Sequence, residues 1–119
     1  MGKVAITLNG SEPKSIYPTA TIAVSALASG DEVLIFVLPS GLPVFVDGKI
    51  AELNKAVPEL PDLEEMMEGF QALGGRILVC ELGFEVHGLK EEDLIEGVEC
   101  GGVATFVIDA QEADVVLTF

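Results

Sequence analysis

The chain has 119 residues, 50% hydrophobic and 22% charged, which fits one folded domain over residues 1–119 with a sizeable core and excludes disorder. Six Lys and Arg (6) stand against 20 Asp and Glu, for a net charge of −14 with no basic stripe, so nucleic acid and anionic membrane surfaces are excluded as partners. The apolar content exceeds what one small core hides and predicts a homo-oligomer, since obligate interfaces resemble a core cut in half.

In chain order, Lys3 to Leu8 reads as a strand, with Asn9-Gly10-Ser11 as a turn after it. Ile16, Ala20, Ala23, Val24 and Leu27 then follow helical spacing. Pro18 is tolerated only near a first turn, so the helix is expected to begin about there and to stop at Gly30. Glu32 to Leu38 is a continuous apolar run, as in a strand covered on both faces. An irregular segment follows, with a short helix expected around Ile50 to Ala56.

Asp62 and Glu65 have capping-box spacing at the start of the strongest helix, in which Leu63, Met66, Met67, Phe70 and Leu73 mark the core face. Gly74-Gly75 ends it, and Arg76 to Cys80 is the third strand. A loop containing the single histidine, His87, leads to a short helix over Lys90 to Glu96 with an acidic first turn. Val103 to Ile108 is expected as a fourth strand and Asp114 to Phe119 as a fifth. Alternating strands and helices predict a three-layer α/β/α domain, flavodoxin-like in appearance, with a five-stranded, mostly parallel sheet.

The opening "MGKVAITLNG" runs straight into a strand without the pattern of a signal peptide, and Ile6 stands where a myristoylation motif needs Ser or Thr. Pro39, Ser40, Gly41 and Pro43 interrupt the most apolar region before it could span a bilayer. The expectation is a cytoplasmic protein with reduced thiols.

In parallel sheets, sites lie beyond the carboxyl ends of the strands. Asn9, Gly10 and Ser11, then Ser40 and Gly41, then Cys80 with Glu81, Leu82 and Gly83 should converge there, which makes Cys80 the candidate nucleophile and the others a substrate-binding set. A buried cysteine is also ordinary core material. Acidic Glu81 and Glu85 flank this thiol, and His87, seven residues on, could approach it as a proton shuttle.

The block "ILVCELGFEVHGLKEEDLIEGVE" with the trailing "GGVATFVIDAQEADVVLTF" resembles the DsrE/DsrF-like (DsrE/DsrF/DsrH) family of sulfur-relay proteins. The opening "KVAITLNGSEP" and the middle "GDEVLIFVLPSGLPVF" sit where that family keeps its first two strands. The resemblance implies a small α/β/α domain, assembly as trimers or hexamers, and a cysteine at the position of Cys80 that accepts sulfur as a persulfide and passes it on. Cys100, in "GVECGG", lies outside the pattern, and the loop "ELGFEVHGL" lacks the basic residues of some relay members.

Three functions follow for test. The first is a sulfur carrier or sulfurtransferase: Cys80 accepts sulfur from a donor protein and hands it to an acceptor, the amides of Glu81 to Gly83 stabilise an anion, and no metal or organic cofactor is required. The second is peroxiredoxin-like thiol redox chemistry with Cys100 as resolving residue. Placed before a fourth strand, Cys100 should sit at the sheet's amino end, away from Cys80, which argues against a disulfide within one chain. The third is a non-enzymatic oligomeric binding or assembly module with a small-ligand pocket at the strand ends. One histidine and scattered cysteines make no metal set, and neither a G-x-S-x-G elbow nor a P-loop occurs.

Overall fold

The structure is a computed structural model, described here for residues 2–119. Five strands, β1 (Lys3–Leu8), β2 (Glu32–Val37), β3 (Arg76–Cys80), β4 (Glu99–Gly101) and β5 (Val115–Thr118), form one sheet in the order β4-β3-β2-β1-β5. Every neighbouring pair is parallel, so the sheet is all-parallel rather than mostly so. The three central strands carry the apolar runs because a central parallel strand is covered on both faces.

Three helices, α1 (Pro13–Ala28), α2 (Lys49–Ala56) and α3 (Leu63–Ala72), cover one face. Alternate strand residues point into that layer. Ile6, Leu8, Ile35, Val37, Ile77 and Val79 pack there with Ile16, Ala20, Ala23, Leu63, Met67 and Phe70. The small side chains of α1 let it approach the sheet and α3 closely.

Helix α1 begins at Pro13, not near Pro18. Pro13 occupies the first turn, where its missing N–H costs nothing, and Pro18 is carried inside the helix. Helix α3 is capped as expected, with the Asp62 carboxylate accepting from the Glu65 amide at 3.2 Å. Both α1 and α3 stop at glycines in the left-handed region, Gly30 (φ 96°) and Gly74 (φ 93°). Leu73 does not join the core; it is the cap residue of α3 and is exposed.

The second half departs further from expectation. Val103–Ala110 is a helix, α5, and not the fourth strand. The fourth strand is the three-residue segment around Cys100. The segment after Cys80, expected as a loop, forms a short helix α4 (Leu82–His87), while Lys90 to Glu96 contributes only a 3-10 turn at Glu91–Asp93. Strands β4 and β5 lie at opposite edges of the sheet, so their connection must cross it. Crossing on the face away from α1–α3 keeps the connection right-handed as the strand order reverses. Helix α5 therefore lies alone over the second face, where Phe106 packs against Leu34, Phe36, Leu78 and Cys80. No helix among the described residues is long and apolar enough to cross a membrane.

Candidate functional site

The loops after β1, β2 and β3 do converge. The Ser11 hydroxyl donates to the Ser40 carbonyl at 2.9 Å, tying the first loop to the second. The segment after β2 is a 3-10 turn, Pro39–Phe45, whose Leu42, Val44 and Phe45 are buried. Helix α4 packs on that turn so closely that a Cβ on Gly83 would lie 2.9 Å from Leu42 Cδ2 and 3.2 Å from Pro39 Cα. A Cβ on Gly41 would lie 2.6 Å from the Leu8 carbonyl oxygen. Gly41 and Gly83 thus bring the backbones together and line no open space. A Cβ on Gly10 would meet the Ser15 hydroxyl at 2.5 Å, while Asn9 is exposed.

Cys80 ends β3 at this junction, but its side chain belongs to the core. The residue is 1% exposed. It points to the second face, in a cluster with Leu34, Phe36 and Leu78 that Leu38 and Phe106 cover. Phe106 stacks on Phe36 with ring centroids 4.6 Å apart and planes inclined by 11°. Sequence reasoning missed Phe106 because its segment looked like a strand.

Cys100 is not at the far end of the sheet from Cys80. It lies on β4 directly beside β3, in register with Val79, while Cys80 pairs with Gly101. The correction follows from the strand that Cys100 itself occupies. Cys100 packs with the α1–α3 layer and Cys80 with the α5 layer. Both thiols are free. Burial, first, and then a hydrogen bond to Glu91 and the charges of Glu91 and Glu81 push the Cys100 thiol up to about 11. The acidic surroundings thus bear on Cys100.

His87 is the last residue of α4, and its Nε2 lies 2.6 Å from the Pro39 carbonyl. A carbonyl only accepts, so Nε2 carries the hydrogen and Nδ1 is left for any proton transfer. The Glu81 amide donates to the Gly101 carbonyl at 3.1 Å and is not available to an anion. Of the expected amides, those of Leu82 and Gly83 open α4. Leu82 (67% exposed) and Val86 (70%) stand one turn apart on the outer side of α4, beside Glu81 and Glu85.

Two clefts lie elsewhere. One of about 430 Å³ is at the amino ends of the strands, lined by Lys3, Asp31, Glu32 and Arg76 among others. The other, of about 500 Å³, lies between α2 and α3 and is walled by Asp47, Glu64, Glu68 and Glu96 over Ile50 and Met67. No group of three or more metal-ligating side chains gathers among the described residues.

An all-parallel five-stranded sheet, helices on both faces, and a cysteine closing the third strand where three loops meet define a small three-layer α/β protein. The model of the DsrE/DsrF/DrsH-like family matches residues 46–118, and the chain belongs to that family. It is 34% identical over 103 residues to the uncharacterized protein MJ0989 of Methanocaldococcus jannaschii, covering 87% of this chain and 85% of the relative. It is 33% identical over 103 residues to the uncharacterized protein MK0008 of Methanopyrus kandleri, covering 87% and 80%. The ychN protein from E. coli has the same fold, with a TM-score of 0.79 at 23% identity over 100% of both chains. So does MTH1491, a protein of unknown function from Methanobacterium thermoautotrophicum, with a TM-score of 0.76 at 11% identity over 98% of this chain and 99% of that one.

Proposed function

We propose that the protein is a sulfur carrier with Cys80 as acceptor. The observation that carries this reading is the place of Cys80 at the carboxyl end of β3, at the junction of three loops, in a chain of the DsrE/DsrF/DrsH-like family. The Cys80 thiolate attacks the outer sulfur of a donor persulfide. The donor S–S bond breaks, the Cys80 Sγ–S bond forms, and the donor leaves as a thiolate. An acceptor thiolate then repeats the exchange on the outer sulfur and restores Cys80. Electrons balance in both steps, so neither needs an oxidant. His87, through the Nδ1 that its bond to Pro39 does not use, is the residue assigned to move the proton. Donor and acceptor are proteins bearing thiols, and the reading sets the reaction in the cytoplasm, where thiols stay reduced.

The same proposal includes assembly into three or six copies. Val103, Val107 and Ile108 on α5, with Val115 and Val116 on the edge strand β5, leave an apolar surface exposed in the single chain.

Intact mass after incubation with a polysulfide tests the carrier reading on wild type, Cys80→Ser and Cys100→Ser. Added sulfur that disappears only in Cys80→Ser is the expected result. A second reading, an assembly module in which Cys80 merely packs, is favoured by the burial of that residue. Sulfur that never adds to the native protein, with Cys80 modified only after denaturation, would select it.

A further inference from the structure

We propose that α5 is a strap that closes over Cys80 and must lift before the thiol can be reached. This inference concerns access to Cys80 and rests on the carrier reading above.

The strap is built by topology. Its ends are β4 and β5, on opposite edges of the sheet, so it passes over β3, β2 and β1. Helix α5 starts just past the carboxyl end of β4 and runs back toward the amino ends of the strands, where Asp109 lies. Around Gly102, which precedes it, a Cβ would meet nothing within 4 Å, so no side chain ties that end down. Gly102 adjoins Gly101, the partner of Cys80 in the sheet.

Two side chains hold the strap to the sheet. Phe106 stacks on Phe36 and covers the cluster that contains Cys80. Asp109 sits between two cations at the amino ends of the strands: it pairs with Lys3 of β1, and its Oδ2 accepts from Arg76 Nη1 of β3 at 2.9 Å. Arg76 in turn grips Glu99 of β4 with two bonds of 3.0 and 3.1 Å. The latch therefore joins the strap to β1 and β3, and Arg76 links it onward to β4; its Arg76 side is half-exposed and open to screening, while the Lys3–Asp109 pair is more sheltered. The opposite face of the sheet is held by three helices over a core of more than a dozen buried residues, whereas the second face has a cluster of four. Local openings begin where buried apolar contacts are fewest. In this fold that place is α5, directly above the thiol the carrier reading requires.

The test uses the full chain with Cys100→Ser, so that Cys80 is the one thiol reporting. Its reaction with an aromatic disulfide reagent is timed in that background, then with Phe106→Leu and, separately, Asp109→Asn added. Circular dichroism and the urea midpoint show that each variant remains folded. Both additions should speed Cys80 modification by about ten-fold or more while the fold persists. High salt should reproduce the effect of Asp109→Asn and add little to that variant. Amide exchange in the unsubstituted chain supplies a second readout, in which α5 exchanges ahead of α1 and α3. Unchanged Cys80 rates in both folded variants, or α5 amides protected as long as those of α1, would overturn the strap. Polysulfide loading separates the two proposals. Sulfur added at the same rate with and without the substitutions removes the strap and leaves the carrier. A strap that gates the reagent while no sulfur ever adds removes the carrier and leaves the strap.

Discussion

Cys80 and Cys100 stand on adjacent parallel strands, one residue out of register, and face opposite sides of the sheet. Their Cβ vectors diverge, so an intrachain disulfide would need the backbone of β3 or β4 to turn over. A thiol oxidant applied to the folded protein should leave both cysteines uncoupled within the chain, and Cys100→Ser should leave sulfur loading at Cys80 intact. Peptide mapping under non-reducing conditions checks this. A Cys80–Cys100 peptide from native protein would revive the thiol-redox reading.

Cys100 should be a slow thiol. Burial and Glu91 push it up to about 11, so alkylation at mildly alkaline pH reports the small thiolate fraction and accelerates until about that value. Glu91→Gln should bring the midpoint down. The linkage sign is that of an acid favoured in its neutral form. The stability contribution is complete below the ordinary thiol value of 9.0 and is lost as pH rises through about 11. Urea midpoints measured across that window should fall less steeply in Cys100→Ser than in wild type.

Asp109 behaves in the opposite sense. The hydrogen bond from Lys3, and then that from Arg76, hold its carboxyl below the ordinary value of 3.8 against the effect of burial. Its contribution is therefore present above the ordinary carboxylate range and is lost as pH falls toward its own lowered value. Wild type should melt above Asp109→Asn at neutral pH, and the gap should close on acidification through that range. Melting curves of the two proteins at matched pH decide it; a constant gap would mean that the ion pairs contribute nothing.

Phe70 and Leu73 separate core from surface within one helix. Phe70 is fully buried, and its ring fills the space where a Cβ on Gly75 would lie 2.4 Å away. Phe70→Ala should cost about 3–5 kcal/mol in urea unfolding. Leu73→Ala should change stability by no more than about 0.5 kcal/mol.

Assembly is tested on the outer side of α5. Ile108, 69% exposed, lies beside Val107 on a surface that also includes Val103. A charge there should break a self-contact, so Ile108→Glu is expected to reduce the mass measured by light scattering to that of fewer copies. A single-chain mass for the wild type would refute assembly outright. A neighbouring copy seated on this surface would also hold α5 down, in which case dilution should speed Cys80 modification.

The first half of the fold was legible because local and global signals agree there. The apolar runs of β1, β2 and β3 and the Asp62–Glu65 cap each have one reading, and the structure contains them. The second half was not. "VATFVI" has the β-branched and aromatic content of a strand, but the connection from β4 to β5 must cross the sheet, and a helix does so with every backbone group paired. Reading that helix as a strand displaced Cys100 to the wrong end of the sheet and hid the role of Phe106. Cys80 was located correctly on β3, yet its 1% exposure depends on α5, which is distant in sequence. The Lys3–Asp109 pair, 106 residues apart, left no local trace at all.

The pairing of β1 with β5 has a consequence for how the chain acquires its structure. Lys3 is bonded to Asp114 across 111 residues, so the first strand to be synthesised gains its second neighbour last. Until then one side of β1 presents bare amides and carbonyls beneath an apolar sheet, the kind of edge that recruits foreign strands. Such long-range closure is slow. The dangerous interval for aggregation should therefore be the final one, when four strands are in place and the fifth is not.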